Sequence, residues 1–369
     1  VREQVMDDFA RNVFVLAGLP FDAVDMAGAA ARVREAAKRE PCFLSTPNLN
    51  FLIGCRNDTA FRDSVIHSDL SVADGMPLVW MARLLGIPIR ERVAGSGLFE
   101  ALRRNGGADR SLSVFFFGGP DGVAERACLA LNAGSSGLRC AGFECPGFGS
   151  VTDMSRDETI VRINASCADF LVVALSAHKG QAWIEHNRHR IAVPVIAHLG
   201  AVVNFAAGTV SRAPGWMQRA GLEWLWRIKE EPALWNRYWL DGAALIRLLL
   251  TRVLPYALWL RLRRPRGVGF SVERLAAADG VRLAVSGIAP DVVPDAVRAV
   301  LRDTAADSRP VVVNLARAEY LSPAFFGLLL MLKKHQDAHA VPLRFESVPS
   351  TLRRLFRWNS VEYLLGEGV

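Results

Sequence analysis

The chain has 369 residues, 51% of them hydrophobic and 22% charged, a balance that suits packed globular domains and excludes a largely disordered protein. At this length two domains of unequal size are expected. The net charge is +7, and residues 216–266 alone hold ten Arg and Lys against four Asp and Glu, so almost the whole excess is local.

Six cysteines (Cys42, Cys55, Cys128, Cys140, Cys145 and Cys167) include no Cys-x-x-Cys pair, so neither a zinc site nor a disulfide framework is expected. The opening stretch VREQVMDDFARN is mixed in charge and runs into no signal-type apolar segment, which points to a cytoplasmic protein.

From about residue 12 to 213, short apolar runs alternate with amphipathic stretches, the pattern of an α/β fold with a mostly parallel, Rossmann-like sheet and flanking helices. Strands are predicted at 42–46 (CFLST), 113–119 (SVFFFGG), 169–176 (DFLVVALS) and 193–200 (VPVIAHLG). Ligands of such sheets bind beyond the carboxyl ends of the strands, so the residues that follow these runs are where chemistry is expected. Residues 1–215 are read as this core domain.

Residues 216–266 follow as a basic helical appendage holding six of the nine tryptophans. Cationic heads meet lipid phosphates while indoles settle at the interface, so an anionic membrane surface is the expected partner. Nucleic acid is the rival, and the apolar run LDGAALIRLLLTRVLPYALWLRL argues against it. Arg247 and Arg252 interrupt the roughly 20 apolar residues that a crossing needs, which predicts a peripheral rather than a spanning segment. The basic, Pro- and Gly-rich stretch 262–269 (LRRPRGVG) marks a seam before a smaller domain at 267–369. There, strands are predicted at 280–287, 309–321 and 342–348, with helices over 294–305 and 323–339.

Three segments of the core carry a resemblance: STPNLNFL with SDLSVADGMPLVWMARLLG and ERVAGSGLFEAL; FFFGGPDGVAERA with PGFGS; and VALSAHKGQAWIEHNRHRIAVPVIAHLGAVVNFAAGTVSRAPGWMQRAGLEWLWRIKEEP. Across roughly residues 12 to 245 the chain resembles the WecG/TagA/CpsF family, glycosyltransferase family 26. The resemblance implies transfer of a sugar from a UDP-sugar to a lipid-linked saccharide acceptor at the cytoplasmic face of the membrane. It also implies inversion at the anomeric carbon and no metal or other cofactor.

Inversion by direct displacement needs a base for the acceptor hydroxyl and a counter-charge for the departing diphosphate. Asp74 stands at the family's base position; taken alone, an Asp-Gly pair reads as a turn. Thr46 and Asn48 match the family's Thr-Pro-Asn motif lining the sugar-nucleotide cleft, although both residue types are also good helix N-caps. Gly118 and Gly119, and Gly200 and Ala201, close strands at junctions where a phosphate could approach backbone amides. No Asp-x-Asp motif occurs, so arginines are expected to meet the diphosphate. Arg227 and Arg237 match by spacing, Leu234 stands where a third family arginine is expected, and Arg92 matches a position near the acceptor side.

The chain also departs from that pattern. Where the family usually has Leu-Gly-x-Pro-Lys-Gln-Glu, residues 175–181 read LSAHKGQ, so the glutamine is displaced by one position to Gln181, a substrate-binding candidate. Gly97 and Asn204 stand where acidic residues are frequent, which leaves the donor sugar open. His178 in the altered loop is read as a hydrogen-bonding loop residue rather than an acid or base.

Residues 267–369 resemble a STAS domain, named for sulfate transporters and anti-sigma-factor antagonists. Ser322-Pro323-Ala324 stands in place of the usual Asp-Ser-Ser, so a docking or structural module without the phosphate switch is implied, with Ser322 as an N-cap. A rival to catalysis is a degenerate transferase fold that recruits polysaccharide-synthesis partners through this domain; intact Asp74, Thr46 and Asn48 speak against it.

Overall fold

The computed structural model describes residues 7–39, 41–104, 111–134, 137–210, 213–219, 221–230, 232–263, 267, 269–277 and 280–366. These group into two compact units that do not follow chain order. One holds residues 24–79 and 89–242; the other holds residues 7–23, 80–88 and 243–369. The N-terminal residues 7–23, expected in the core domain, thus group with the C-terminal unit.

Those N-terminal residues form a hairpin of β1 (Val13–Leu16) and β2 (Leu19–Asp22), antiparallel with Val13 opposite Asp22. The larger unit holds β3 (Cys42–Ser45), β4 (Leu70–Ser71), β5 (Leu112–Gly118), β6 (Leu138–Glu144), β7 (Phe170–Ala174) and β8 (Val195–His198). They form one sheet in the order β4-β3-β8-β7-β5-β6, parallel at every pairing. Strands buried on both faces read as unbroken apolar runs, as LSVFFFG and FLVVA do here. Leu44, Phe116, Val172 and Ala197 pack on one face, while Phe43, Phe117, Val173 and Ile196 pack on the other with Trp183 and Ile184. The Phe117 and Trp183 rings stack at 4.1 Å between centroids. Asp169, just before β7, accepts from the Ser113 amide at 2.8 Å and its hydroxyl at 2.7 Å, which ties the starts of β5 and β7 together.

Cysteine spacing gave no reason to expect bridging, yet Cys128 and Cys140 are joined as a disulfide, their Cα atoms 5.1 Å apart, between the helix Val123–Gly134 and β6. These residues lie 12 apart in sequence and meet because helix and strand are adjacent in the fold, which local spacing does not show.

In the second unit, β9 (Phe270–Ala277), β10 (Gly280–Ile288), β11 (Val311–Tyr320) and β12 (Leu343–Glu346) form a sheet in the order β12-β11-β10-β9. β10 is parallel to β11, β11 to β12, and only the edge strand β9 runs antiparallel. Helix Pro323–Ala338 is buried along most of its length, with Ser322 as its N-cap: the hydroxyl accepts from the Phe325 amide at 3.2 Å and donates to Pro290 O at 2.7 Å. The β1–β2 hairpin lies so close to this helix that a Cβ on Gly327 would collide with the Val13 carbonyl oxygen. Arg11, 2% exposed, binds Asp8 at 2.7 Å and Asp22 at 2.8 Å, and Lys334 of the helix reaches Asp8 at 3.0 Å.

A 29-residue helical run, Trp235–Arg263, contains a π-helical turn at Leu249–Val253 and is by length and composition long and apolar enough to cross a membrane. Its charges are placed unevenly. Arg252 pairs with Glu362 at 2.6 Å and donates to the Arg357 carbonyl oxygen, and on its side of the helix Val253, Tyr256 and Ala257 are buried. Trp235, Trp239, Ile246, Leu250, Leu258 and Leu262 are exposed instead. Of the two arginines that break the apolar run in sequence, Arg252 is therefore taken up within the fold.

Candidate functional site

In a parallel sheet the loops leaving the carboxyl ends of adjacent strands converge, and here those after β3, β4 and β8 meet. Thr46, buried, follows β3 directly, and Asp74 follows β4. Three backbone bonds pin the Asp74 loop: Val72 N–H to Ser45 O at 3.0 Å, Asp74 N–H to Pro47 O at 2.9 Å, and Val93 N–H to Ala73 O at 2.9 Å. A short, cross-braced loop of this kind holds its side chain in one orientation.

The Asp74 side chain is 27% exposed and densely surrounded. Its Oδ1 stands 3.5 Å from Arg92 Nε and its Oδ2 accepts from the Gly95 amide at 3.3 Å. Burial pushes its carboxyl above the usual range; Arg92, the Gly95 N–H and Arg227 pull it down, and the Glu223 carboxylate pushes it up. Arg92 also binds Glu223 at 2.6 Å, linking the Asp74 loop to the helix Glu223–Glu230. Gly95 allows these loops to close: a Cβ there would stand 2.5 Å from Leu199 Cδ2 and 3.3 Å from Thr46 Oγ1.

Arg227, on the same helix as Glu223, lies over the Phe205 ring at 5.8 Å. With Ala201, Asn204, Glu223, Trp226 and Glu230 it lines a recess beside the loop after β8. Gly118 and Gly119 end β5 with φ of +98° and +91°, a conformation open to glycine, and a Cβ on Gly119 would press on Val203 at 3.0 Å. Gly200 is similarly tight, since a Cβ there would stand 2.9 Å from Leu175 O.

The structure thus gathers Thr46, Asp74, Arg92 and Arg227, with the Gly200–Ala201 turn beside the recess. Asn48 caps the helix Leu49–Asn57, its Oδ1 accepting from the Phe51 amide at 3.2 Å. Gln181 is fully buried and donates to Ser45 Oγ at 2.9 Å, at the end of β3. Arg237 is exposed and lies over its neighbour Tyr238 at 5.1 Å. His178 pairs at the surface with Asp58 at 2.5 Å. Glu223, Gly95 and His198 were not singled out from the sequence. Glu223 sits inside the quoted LEW segment, but only its contact with Arg92 marks it.

Residues 14–257 match the profile of the Glycosyl transferase WecG/TagA/CpsF family. Among curated proteins, the chain is 29% identical over 196 residues to an N-acetylglucosaminyldiphosphoundecaprenol N-acetyl-beta-D-mannosaminyltransferase of Bacillus spizizenii, covering 53% of this chain and 74% of that one. It is 27% identical over 197 residues to the protein of the same description in Bacillus subtilis, covering 53% and 73%. The family match spans about two thirds of the chain and every loop of the site just described, and on that basis the chain belongs to the WecG/TagA/CpsF family of glycosyl transferases.

Proposed function

We propose that the protein transfers a sugar from a UDP-sugar to a saccharide carried on a polyprenyl diphosphate, with inversion and without a metal. The observation that carries this reading is Asp74, raised by burial at a strand's carboxyl end and held by Arg92 and the Gly95 amide. A carboxylate so placed accepts the proton of the acceptor hydroxyl as its oxygen attacks the anomeric carbon. The bond from that carbon to the UDP oxygen breaks on the opposite face, and the departing diphosphate needs counter-charge. Arg227, beside the recess at the Gly200–Ala201 turn, is the arginine best placed to supply it, with Arg237 on the following helix. A carboxyl that burial raises above the usual carboxylate range is a stronger base than an exposed one, which suits this role.

The acceptor class is taken from the two Bacillus relatives, whose descriptions name a diphosphoundecaprenol substrate. The exposed tryptophans and leucines along Trp235–Arg263 suit seating on the inner leaflet of an anionic membrane, where such an acceptor resides. Residues 267–369 serve as a STAS-like docking module for a protein partner.

The test is UDP release by purified protein with a panel of UDP-sugars and a short-chain polyprenyl-diphosphoryl sugar, in EDTA, comparing wild type with Asp74→Asn. Acceptor-dependent release that the variant loses is the expected result. Folded wild type that releases no UDP with any donor, or release that persists in Asp74→Asn, overturns the assignment.

A further inference from the structure

His198 ends β8 on the same sheet face as Ile196, and Ser45 is its neighbour in register on β3, since Leu44 pairs with Ala197. His198 is 6% exposed. Its Nε2 lies 2.9 Å from the Leu175 carbonyl oxygen, which can only accept, so Nε2 carries the proton. Burial holds the ring below the usual histidine range and therefore neutral, leaving Nδ1 a bare acceptor with no partner. Gln181 repeats the pattern: Nε2 is committed to Ser45, and Oε1 is buried without a partner. One unpaired buried acceptor at the carboxyl end of β8, and a second on the helix Ala177–Asn187 whose amide reaches the end of β3, are each costly to leave unsatisfied. Both lack the same thing, an O–H or N–H donor.

Gly180 explains how the imidazole came to fit. A Cβ at that position would collide with His198 Cδ2 and stand 3.0 Å from Nε2. In the motif that this loop resembles, glutamine occupies the place of Gly180; here the imidazole from β8 takes up the room beside that glycine on the helix Ala177–Asn187.

We propose that His198 is a donor-sugar selectivity residue, its ring filling the room of a side chain at position 180 and presenting an unpaired acceptor at the carboxyl end of β8. Its ligand is the hexose of the nucleotide sugar, whose hydroxyl or acetamido N–H supplies the missing donor, directly or through one held water. The inference rests on the transferase reading above.

Three variants test it: Gly180→Gln, Gly180→Gln with His198→Gly, and His198→Phe, which keeps a ring and removes both nitrogens. Gly180→Gln alone lowers the melting temperature, and the double variant recovers it. Across a UDP-sugar panel, the double variant changes the ratio of kcat/KM between donors by about tenfold or more, and His198→Phe raises KM for the favoured donor by about tenfold. A double variant no more stable than Gly180→Gln overturns the packing argument. Folded variants that keep the wild-type donor ranking overturn the selectivity role, including the case where Nδ1 holds only a structural water. Wild type that neither turns over nor binds any UDP-sugar by calorimetry instead sinks the transferase reading itself.

Discussion

Arg92 reaches Glu223 at 2.6 Å while standing 3.5 Å from Asp74, so one guanidinium serves two carboxylates of opposite effect on the site. The groups acting on Asp74 are Arg92, Arg227 and the Gly95 N–H, which favour its ionised form, and burial and Glu223, which oppose it. In the proposed role only ionised Asp74 can take a proton, so activity is expected to rise with pH through its pKa. Replacing Glu223 by Gln removes a group that raises this pKa, and the acid limb of kcat/KM moves to lower pH; Arg92→Met moves it higher. A pH–rate profile of each variant checks the signs, and limbs that move together or not at all contradict the arrangement.

Asp74→Asn keeps an oxygen for the Gly95 amide and changes almost no volume, so the fold is retained. Transfer falls by roughly 10²- to 10⁴-fold, the range for losing a positioned base. Thermal melts alongside UDP-release rates separate this outcome from simple unfolding.

In the C-terminal unit, Arg11→Met strands Asp8 and Asp22, both buried, without their shared cation. Breaking a buried pair in this way costs about 3–5 kcal/mol. Burial is the largest single influence on the Asp8 carboxyl and pushes it up, but Lys334, His335 and Arg11 together hold it well below the usual range. Since its folded pKa is depressed, Asp8 contributes stability above the unfolded value of about 4 and loses it as pH falls through the folded pKa. Urea midpoints measured at neutral and acid pH should therefore show wild type losing more stability on acidification than Arg11→Met.

Gly327→Val drives a side chain into the Val13 carbonyl and separates the hairpin from the helix Pro323–Ala338. Overpacking of this kind costs roughly 1–3 kcal/mol. Calorimetric melting of the full chain reads the loss.

Trp239→Glu with Ile246→Glu places charge on the exposed side of Trp235–Arg263, where both residues contribute little to folding. Co-sedimentation with anionic vesicles should fall by about tenfold or more with the melting temperature unchanged, because burial of each large apolar side chain is worth about 1.5–3 kcal/mol. Binding that survives both substitutions would remove this face from the membrane reading.

What the sequence determined by itself was the parallel sheet and the identity of the residues that follow its strands. β3, β7 and β8 lie inside the runs at 42–46, 169–176 and 193–200, and β5 starts one residue before the run at 113–119, because strands buried on both faces must be continuously apolar and must end in turn chemistry. β10, β11 and β12 were equally legible. β6 and β9 were not, since LRCAGFE and FSVERLAA are edge strands that expose part of their surface and show no long apolar run.

Tertiary structure decided what depends on partners distant in sequence. The hairpin of β1 and β2 belongs with a helix more than 300 residues away because Gly327 admits its backbone and Lys334 meets Asp8, neither of which a local pattern encodes. Arg252 reads as an interruption in the apolar run until Glu362 takes up its charge. Gly180 looks like a displaced motif residue until His198 is seen in its space. Periodicity and composition report how each segment meets water, while pairing of charges, donors and volumes across the chain is fixed only when the segments are packed together.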